Sequence, residues 1–360
     1  ASNNTAVGYL ALLSNTTGGS NTAVGSDAGK TCTTGDANTM MGTDSGEDLT
    51  TGNRNTLIGA GAGANATTPD DLTAVGYFAG GTAIMTGHDN TCMGTNALTS
   101  CTSGAANTAI GRNCMDANTT AGGNTAVGYA ALTSNTTGDA QVIMGYEAGE
   151  DLTTGSHATY LGYRAAFNAT IGNYNTVIGS NTAAAMTTAS NNTIVGYGAG
   201  GTIIDGSSSI LIGYEANVSA SGRSELVIGT SVVGKGDNTG LIYPPGGGGI
   251  YNAANTSTWQ QTSDERIKKN IEDNTTGLEK INQIRVRNFE YRTEDEITEV
   301  PSHAAIDKKG VQLGVIAQEI EPILPDVVTE ESTGVKSVNP DNLTWYLVNA
   351  VKELSTQVDE

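Results

Sequence analysis

Along the first 230 residues the apolar positions fall into one slot, just ahead of a glycine, and the slot returns every seventeen residues. Asn4-Thr5-Ala6-Val7-Gly8 aligns with Asn21-Thr22-Ala23-Val24-Gly25, Asn38-Thr39-Met40-Met41-Gly42 and Asn55-Thr56-Leu57-Ile58-Gly59. The series runs on through Gly76, Gly94, Gly111, Gly128, Gly145, Gly162, Gly179, Gly196, Gly213 and Gly229. Only the steps from Gly76 to Gly94 (18 residues) and from Gly213 to Gly229 (16) depart from the period. The residue before each glycine is aliphatic or Met, as in Val7, Met41, Ile58, Leu161 and Ile228. A small residue stands three places after it, as in Ala11, Ala28, Ala62, Ala131 and Ala199, with Ser45 and Cys114 as variants. A turn such as Thr16-Thr17-Gly18 or Thr136-Thr137-Gly138 follows.

That unit predicts a short strand, a bend at the glycine, a strand of small residues and a turn. Stacked in register, such units form an all-β repeat rod, either a parallel β-solenoid or an interwoven β-prism. Fourteen rungs at about 4.8 Å each would span on the order of 65 Å. Asn4, Asn21, Asn38 and Asn55 would lie above one another and form amide ladders. A rung with one or two aliphatics buries little alone, so the expectation is a homotrimer. Three chains would cover each other's aliphatic rows, with the Ala row permitting close backbone approach.

Composition changes at Gln261-Thr262-Ser263-Asp264-Glu265-Arg266-Ile267-Lys268. Upstream the chain is Gly, Asn, Thr and Ala; downstream Lys, Glu, Ile and Leu take over with helical spacing. Three regions are predicted: the β-rod over 1–230, a Gly/Pro-rich neck over 231–262, and a small α+β domain over 263–360. In the neck, Pro244-Pro245 and the run Gly246 to Gly249 break regular rungs, with Tyr243, Tyr251 and Trp259 as packing anchors. In the last region, Val311 to Val328 reads as strand, helical turn and Pro-bounded exit. Asn339 then caps a helix with Pro340 at its first position. Leu343, Leu347, Ala350, Leu354 and Val358 follow at steps of 4, 3, 4 and 4, a stripe suited to a parallel coiled coil, the alternative being a helix packed on its own domain.

The chain carries 48 glycines and a net charge of −20. The charge excludes nucleic acid and anionic membrane surfaces as partners. No apolar run approaches the roughly 20 residues needed to span a bilayer, so membrane insertion is not expected. Cys32, Cys92, Cys101 and Cys114 form no CxxC pair. Cys92 and Cys114 stand where other repeats place Ala or an aliphatic residue, which reads as buried free thiols in a protein made in a reducing cytoplasm. No cofactor or metal site is predicted. The repeated Gly46-Glu47-Asp48-Leu49-Thr50-Thr51-Gly52 and Gly149-Glu150-Asp151-Leu152-Thr153-Thr154-Gly155 read as solvated acidic turns, with Ca²⁺ binding between chains as the alternative. The acids of the repeats, such as Asp27, Asp44, Asp70 and Asp71, lie in variable turns without aromatic walls, so no glycosidase activity is expected there.

Ser263 has two readings. It can cap a short helix, although Arg266 stands where a capping box would place Glu or Gln. With Lys268 it can also form a Ser-Lys dyad, the lysine amine acting as base once desolvated.

The NTAVG-type repeat over residues 4 to 229 resembles repeats of bacteriophage tail fibres and, more distantly, the head repeats of trimeric autotransporter adhesins. Ser263-Asp264 with Arg266, Lys268 and Asn270-Ile271, then Arg287-Asn288-Phe289-Glu290-Tyr291, Gly314-Val315-Ile316-Ala317-Gln318-Glu319 and the Leu343 to Leu354 segment, is similar to the intramolecular chaperone domain of phage tail fibres, tailspikes and endosialidases. The resemblance implies a domain that drives trimerisation of the preceding β-rod and then cuts itself off. Ser263 would be the nucleophile, Lys268 the base, Thr262-Ser263 the scissile bond, and Asp264 and Arg266 supporting residues of the motif. It would be a single-turnover endopeptidase. The expected protein is a trimeric viral tail or side fibre, assembled in the host cytoplasm and resident in the virion. Its partners would be a host surface receptor, a glycan among the candidates, and other tail proteins. Those would be reached through a region N-terminal to Ala1, which itself lies inside a repeat unit. The alternative is a cell-surface trimeric adhesin with an uncleaved C-terminal trimerisation domain.

Overall fold

The computed structural model describes residues 2–219, 222–244, 249–252, 259–260, 263–300, 306, 308–331 and 334–359. The chain divides into two compact units, Ala1–Ser263 and Asp264–Glu360.

The first unit is a parallel β-solenoid of about fourteen turns. Its strands run from Thr5–Val7 through Thr125–Val127 to Leu226–Gly229 and Gly240–Tyr243, each paired in parallel with the next. Register is kept residue for residue: Thr5 faces Thr22, Thr22 faces Thr39, Thr39 faces Thr56. Ile250–Asn252 and Trp259–Gln260 then pair antiparallel and end the parallel run. The solenoid, and not the interwoven prism, is therefore the architecture.

Two expectations about the rung are corrected. Each rung holds one strand of three or four residues, not two. Where a strand of small residues was expected, the backbone turns continuously, with left-handed residues two and four places after the bend glycine, as in Asn96 and Leu98 or Ala130 and Leu132. The rung also buries more than anticipated, because it closes on itself. The middle residue of each strand points inward and forms one column: Ala23, Met40, Leu57, Ala74, Cys92, Ala109, Ala126, Ile143, Tyr160, Val177, Ile194 and Leu211, all fully buried. The small row, Ala28, Ala62, Ala79, Ala97, Ala131, Ala148 and Ala165, faces the same interior, so it does not mediate approach between chains. A third column holds Cys32, Leu49, Ala66, Cys101, Leu152 and Met186. Burying a side chain the size of Leu49 or Leu152 is worth about 1.5–3 kcal/mol, which accounts for the leucine in both acidic turns.

The expected amide ladder is present and buried. The Asn38 backbone N–H donates to Asn21 Oδ1 at 2.9 Å, and the Asn55 N–H donates to Asn38 Oδ1 at 2.9 Å. Each side-chain amide in turn donates to the carbonyl that closes the rung, Gly35 for Asn21 and Gly52 for Asn38. Asn90, Asn107, Asn124, Asn175 and Asn192 repeat the arrangement. A polar interior column is stable only when its donors and acceptors are answered. The asparagine rungs answer theirs, while Gln141, in the same column, leaves Oε1 without a partner among the described residues, and Leu72 and Ala158 interrupt the column.

The bend glycine is required at every turn. At Gly128 φ is +141°, and a methyl group there would run into the Gly145 carbonyl of the next rung. Outside the bend lies the residue preceding it. Val7, Met41, Ile58, Met93, Ile110, Met144, Leu161 and Ile212 are exposed, a continuous apolar column on the outer face of the sheet.

All four cysteines are free and buried. Burial pushes the Cys101 thiol up to about 11 and the Cys114 thiol up to about 12, which keeps them protonated and inert.

The second unit is small and mixed. Arg287–Phe289 pairs antiparallel with Gln312–Gly314, and Val328–Glu330 with Lys336–Val338. Helices α1 (Leu278–Ile281), α2 (Ala317–Ile320) and α3 (Pro340–Asp359) complete it. Ile320, Leu324 and Val327 form its core, with Ile284, Val315, Val338, Leu343 and Tyr346 packed around them. Asn339 caps α3 as expected, accepting from the N–H groups of Asp341 at 2.9 Å and Asn342 at 3.4 Å.

The stripe predicted along α3 is divided by this packing. Leu343 belongs to the domain core, and Ala350 is buried against Gly277, where a methyl group would press on the Ala350 nitrogen. Leu347, Val351, Leu354 and Val358 remain exposed at steps of 4, 3 and 4. The exposed apolar seam passes through Val351 and not Ala350.

Candidate functional site

The candidate site is the stretch of chain from Ser263 to Lys268. Ser263 is the last residue of the first unit and is exposed. Thr262, on the other side of the expected scissile bond, lies outside the described residues. Lys268 is exposed and ends a 3-10 turn, Glu265–Ile267, its N–H donating to the Glu265 carbonyl at 3.0 Å.

The cap of that turn is Asp264, not Ser263. The Asp264 carboxylate accepts the Arg266 backbone N–H at 2.9 Å, and its ψ of 132° is the extended geometry of a cap residue. The reason is positional: a side-chain oxygen reaches the donor two residues on, and in this turn that donor belongs to Arg266. The cap position of this turn is thus taken by Asp264, and Ser263 precedes it.

Asp264 and Arg266 are brought together more firmly than the motif alone suggested. Arg266 Nε lies 2.9 Å from Asp264 Oδ1, and Nη2 lies 2.6 Å from Oδ2. This fork of two parallel hydrogen bonds is the strong form of the pair. Arg266 holds the Asp264 carboxyl below the usual carboxylate range, and Asp264 raises Arg266 in return. The pair pins the 3-10 turn that Lys268 ends.

Two further motifs meet across the domain. Arg287 faces Gly314 in the antiparallel pair, and its guanidinium forks onto Glu319 at the end of the second motif, at 3.0 and 2.5 Å. Phe289 packs edge-on to Tyr291, with Gly314 against the Phe289 ring. These residues build the domain. A contact that sequence reasoning missed is Glu353 on α3, whose carboxylate accepts the Leu278 N–H at 2.9 Å and caps α1. Its partners lie 75 residues apart, and no local pattern signals them.

Among the described residues no group of three or more His, Cys, Asp or Glu stands close enough to hold a metal ion. In the first acidic turn Glu47 is paired with Lys30 at 3.1 Å, and ahead of the second Glu147 is paired with Arg164 at 3.2 Å. No helix among the described residues is long and apolar enough to cross a membrane.

No solved structure matches the chain. Residues 263–329 match the family model Peptidase_S74, described as the chaperone of endosialidase. The match opens on Ser263, and the chain is a β-solenoid of 17-residue period followed by a segment similar to that chaperone.

Proposed function

We propose that this chain is part of a trimeric viral tail or side fibre whose C-terminal domain templates assembly of the β-solenoid and then severs itself before Ser263. The observation that carries the reading is the chaperone match beginning at Ser263, where the solenoid unit ends.

Two exposed apolar surfaces support self-association. The outer column of the solenoid, from Val7 to Ile212, runs nearly its full length, and soluble monomers rarely leave apolar patches beyond a few hundred Å² uncovered. The α3 seam, Leu347, Val351, Leu354 and Val358, has the heptad spacing of a coiled coil. Three α3 helices in register would align three repeat chains at one end. That removes the slow search among alternative registers, each rung of which offers nearly identical pairings.

The chemistry follows from the dyad. Lys268 takes the proton of Ser263 as Oγ attacks the Thr262 carbonyl. The C–N bond breaks, the amine receives that proton, and the Thr262 acyl group passes to Oγ as an ester. Water then hydrolyses the ester, releasing a Thr262 carboxylate and a new N-terminus at Ser263. A lysine serves as base only where its ammonium is desolvated, and Lys268 is exposed on the single chain. Assembly would supply the burial, so that only a completed trimer cuts. Loss of the template leaves the rod kinetically trapped. Host attachment along the rod and docking to other tail proteins belong to the same reading.

The test is to express the full chain beside a chain ending at Thr262 and measure mass by sedimentation. A trimeric solenoid from the full chain only supports the template role. Equal trimers from both, or monomers from both, contradict it.

A further inference from the structure

The residue after the bend glycine forms an outer column of its own, occupied by tyrosine in seven rungs: Tyr9, Tyr77, Tyr129, Tyr146, Tyr163, Tyr197 and Tyr214. Where tyrosines occupy neighbouring rungs, the rings stack. Tyr129 and Tyr146 lie 5.1 Å apart at 12°, Tyr146 and Tyr163 5.3 Å apart at 11°, and Tyr197 and Tyr214 5.5 Å apart at 8°. Ser180 separates the two blocks. The first three rings are between 41% and 48% exposed, so solvent-borne oxidants reach them.

The solenoid fixes these distances. Parallel strands in register place residues seventeen apart side by side, and the stacked backbone prevents the rings from drifting out of reach. Two phenols held in this way are a preformed substrate for oxidative coupling, a proximity effect that a flexible chain lacks.

We propose that the stacked tyrosines are sites of dityrosine cross-linking by a one-electron oxidant of the haem peroxidase class. Each of two neighbouring phenols gives one electron and one proton to the oxidant. The two radicals join through ring carbons ortho to oxygen, and the two displaced ring protons return the products to aromatic phenols. With hydrogen peroxide as the terminal oxidant, two tyrosines and one peroxide yield one dityrosine and two waters. Each bond rivets one rung to the next. In a stack held by nearest-neighbour contacts, such rivets oppose unzipping at its weakest step.

The test treats the full chain with a haem peroxidase and hydrogen peroxide, then reads dityrosine fluorescence and maps linked peptides by mass spectrometry. The expected links are Tyr129–Tyr146, Tyr146–Tyr163 and Tyr197–Tyr214. Tyr146→Phe keeps the ring and the stack but removes both links of the first block; Tyr197→Phe removes the other. Tyr77→Phe, at an isolated position, leaves the yield unchanged. Links concentrated between non-adjacent tyrosines, a yield indifferent to Tyr146→Phe and Tyr197→Phe, or no dityrosine at all would overturn the proposal.

Discussion

Asp264 and Arg266 hold one another through four hydrogen bonds, one from the arginine backbone N–H and three from its guanidinium. Between Ser263 and Lys268, the chain is thus fixed by a cap and a fork and not left as a loose linker. Asp264→Ala should slow self-cleavage on the order of 10-fold to 100-fold, since misplacement of a base costs rate steeply, while leaving the trimer intact. Asp264→Asn, which keeps the cap acceptor, should retain most of the rate. Gel densitometry of cleaved and uncleaved chain over time distinguishes them.

The amide ladder predicts a defined cost at any interior rung. In Asn107→Ala, the Asn124 N–H loses its buried partner at 3.1 Å, and the Ala121 carbonyl loses its shorter donor at 2.8 Å while keeping Asn118 Nδ2 at 3.4 Å. An unanswered group costs about 1–3 kcal/mol, so the solenoid should lose roughly that much in denaturant unfolding. A loss below about 0.5 kcal/mol would show that the ladder follows the fold without stabilising it.

Two glycines in neighbouring rungs separate steric need from backbone habit. Gly128→Ala meets the Gly145 carbonyl and should prevent the soluble rod from forming, or cost about 3 kcal/mol or more. Gly123 also has positive φ, +69°, but a methyl there meets nothing within 4 Å, and Ala106 and Ala140 hold the same slot at +57° and +55°. Gly123→Ala should therefore stay folded with a loss of about 1 kcal/mol. Thermal unfolding of the two variants beside the parent is sufficient.

The period, the bend glycine and the Asn ladder were legible because each depends on identical residues lying above one another, which repetition in the sequence displays directly. The turns were not. Leu98 at +56°, Met115 at +51° and Leu132 at +54° take a conformation those residues disfavour alone. They do so because the Leu98 N–H reaches the Cys114 carbonyl and the Leu132 N–H reaches the Ala148 carbonyl on the next rung. Hydrogen bonding between rungs overrides local preference, and nothing in one unit read alone announces it. At the candidate site, Ser263 and Asp264 are both good caps by residue type. Only the placement of the Arg266 N–H separates them. The α3 seam shifted for a similar reason: Ala350 fits the heptad, yet Gly277, far away in sequence, takes it.

Acid should act on the two units differently. Arg266 holds Asp264 below the usual carboxylate range, Arg287 does the same to Glu319, and backbone hydrogen bonds at Thr298 bring Glu299 down to about 2. A depressed folded pKa contributes stability that is complete above the unfolded value and is lost as pH falls through the folded one. The C-terminal unit should therefore loosen between about pH 4 and about pH 2. The solenoid's buried amide ladder does not titrate, and its rungs should persist. Trp345 fluorescence in a Trp259→Phe background, set beside far-UV circular dichroism of the rungs, would register the separation. Simultaneous loss of both signals would contradict it.

The central claim is that the chain cuts itself before Ser263, and intact mass under denaturing conditions tests it most directly. The wild type is predicted to give two fragments meeting at Thr262-Ser263, while Ser263→Ala and Lys268→Met each give one full-length chain that still sediments as a trimer. A wild type that remains whole after trimer assembly, or variants that are cut like the wild type, would contradict the account.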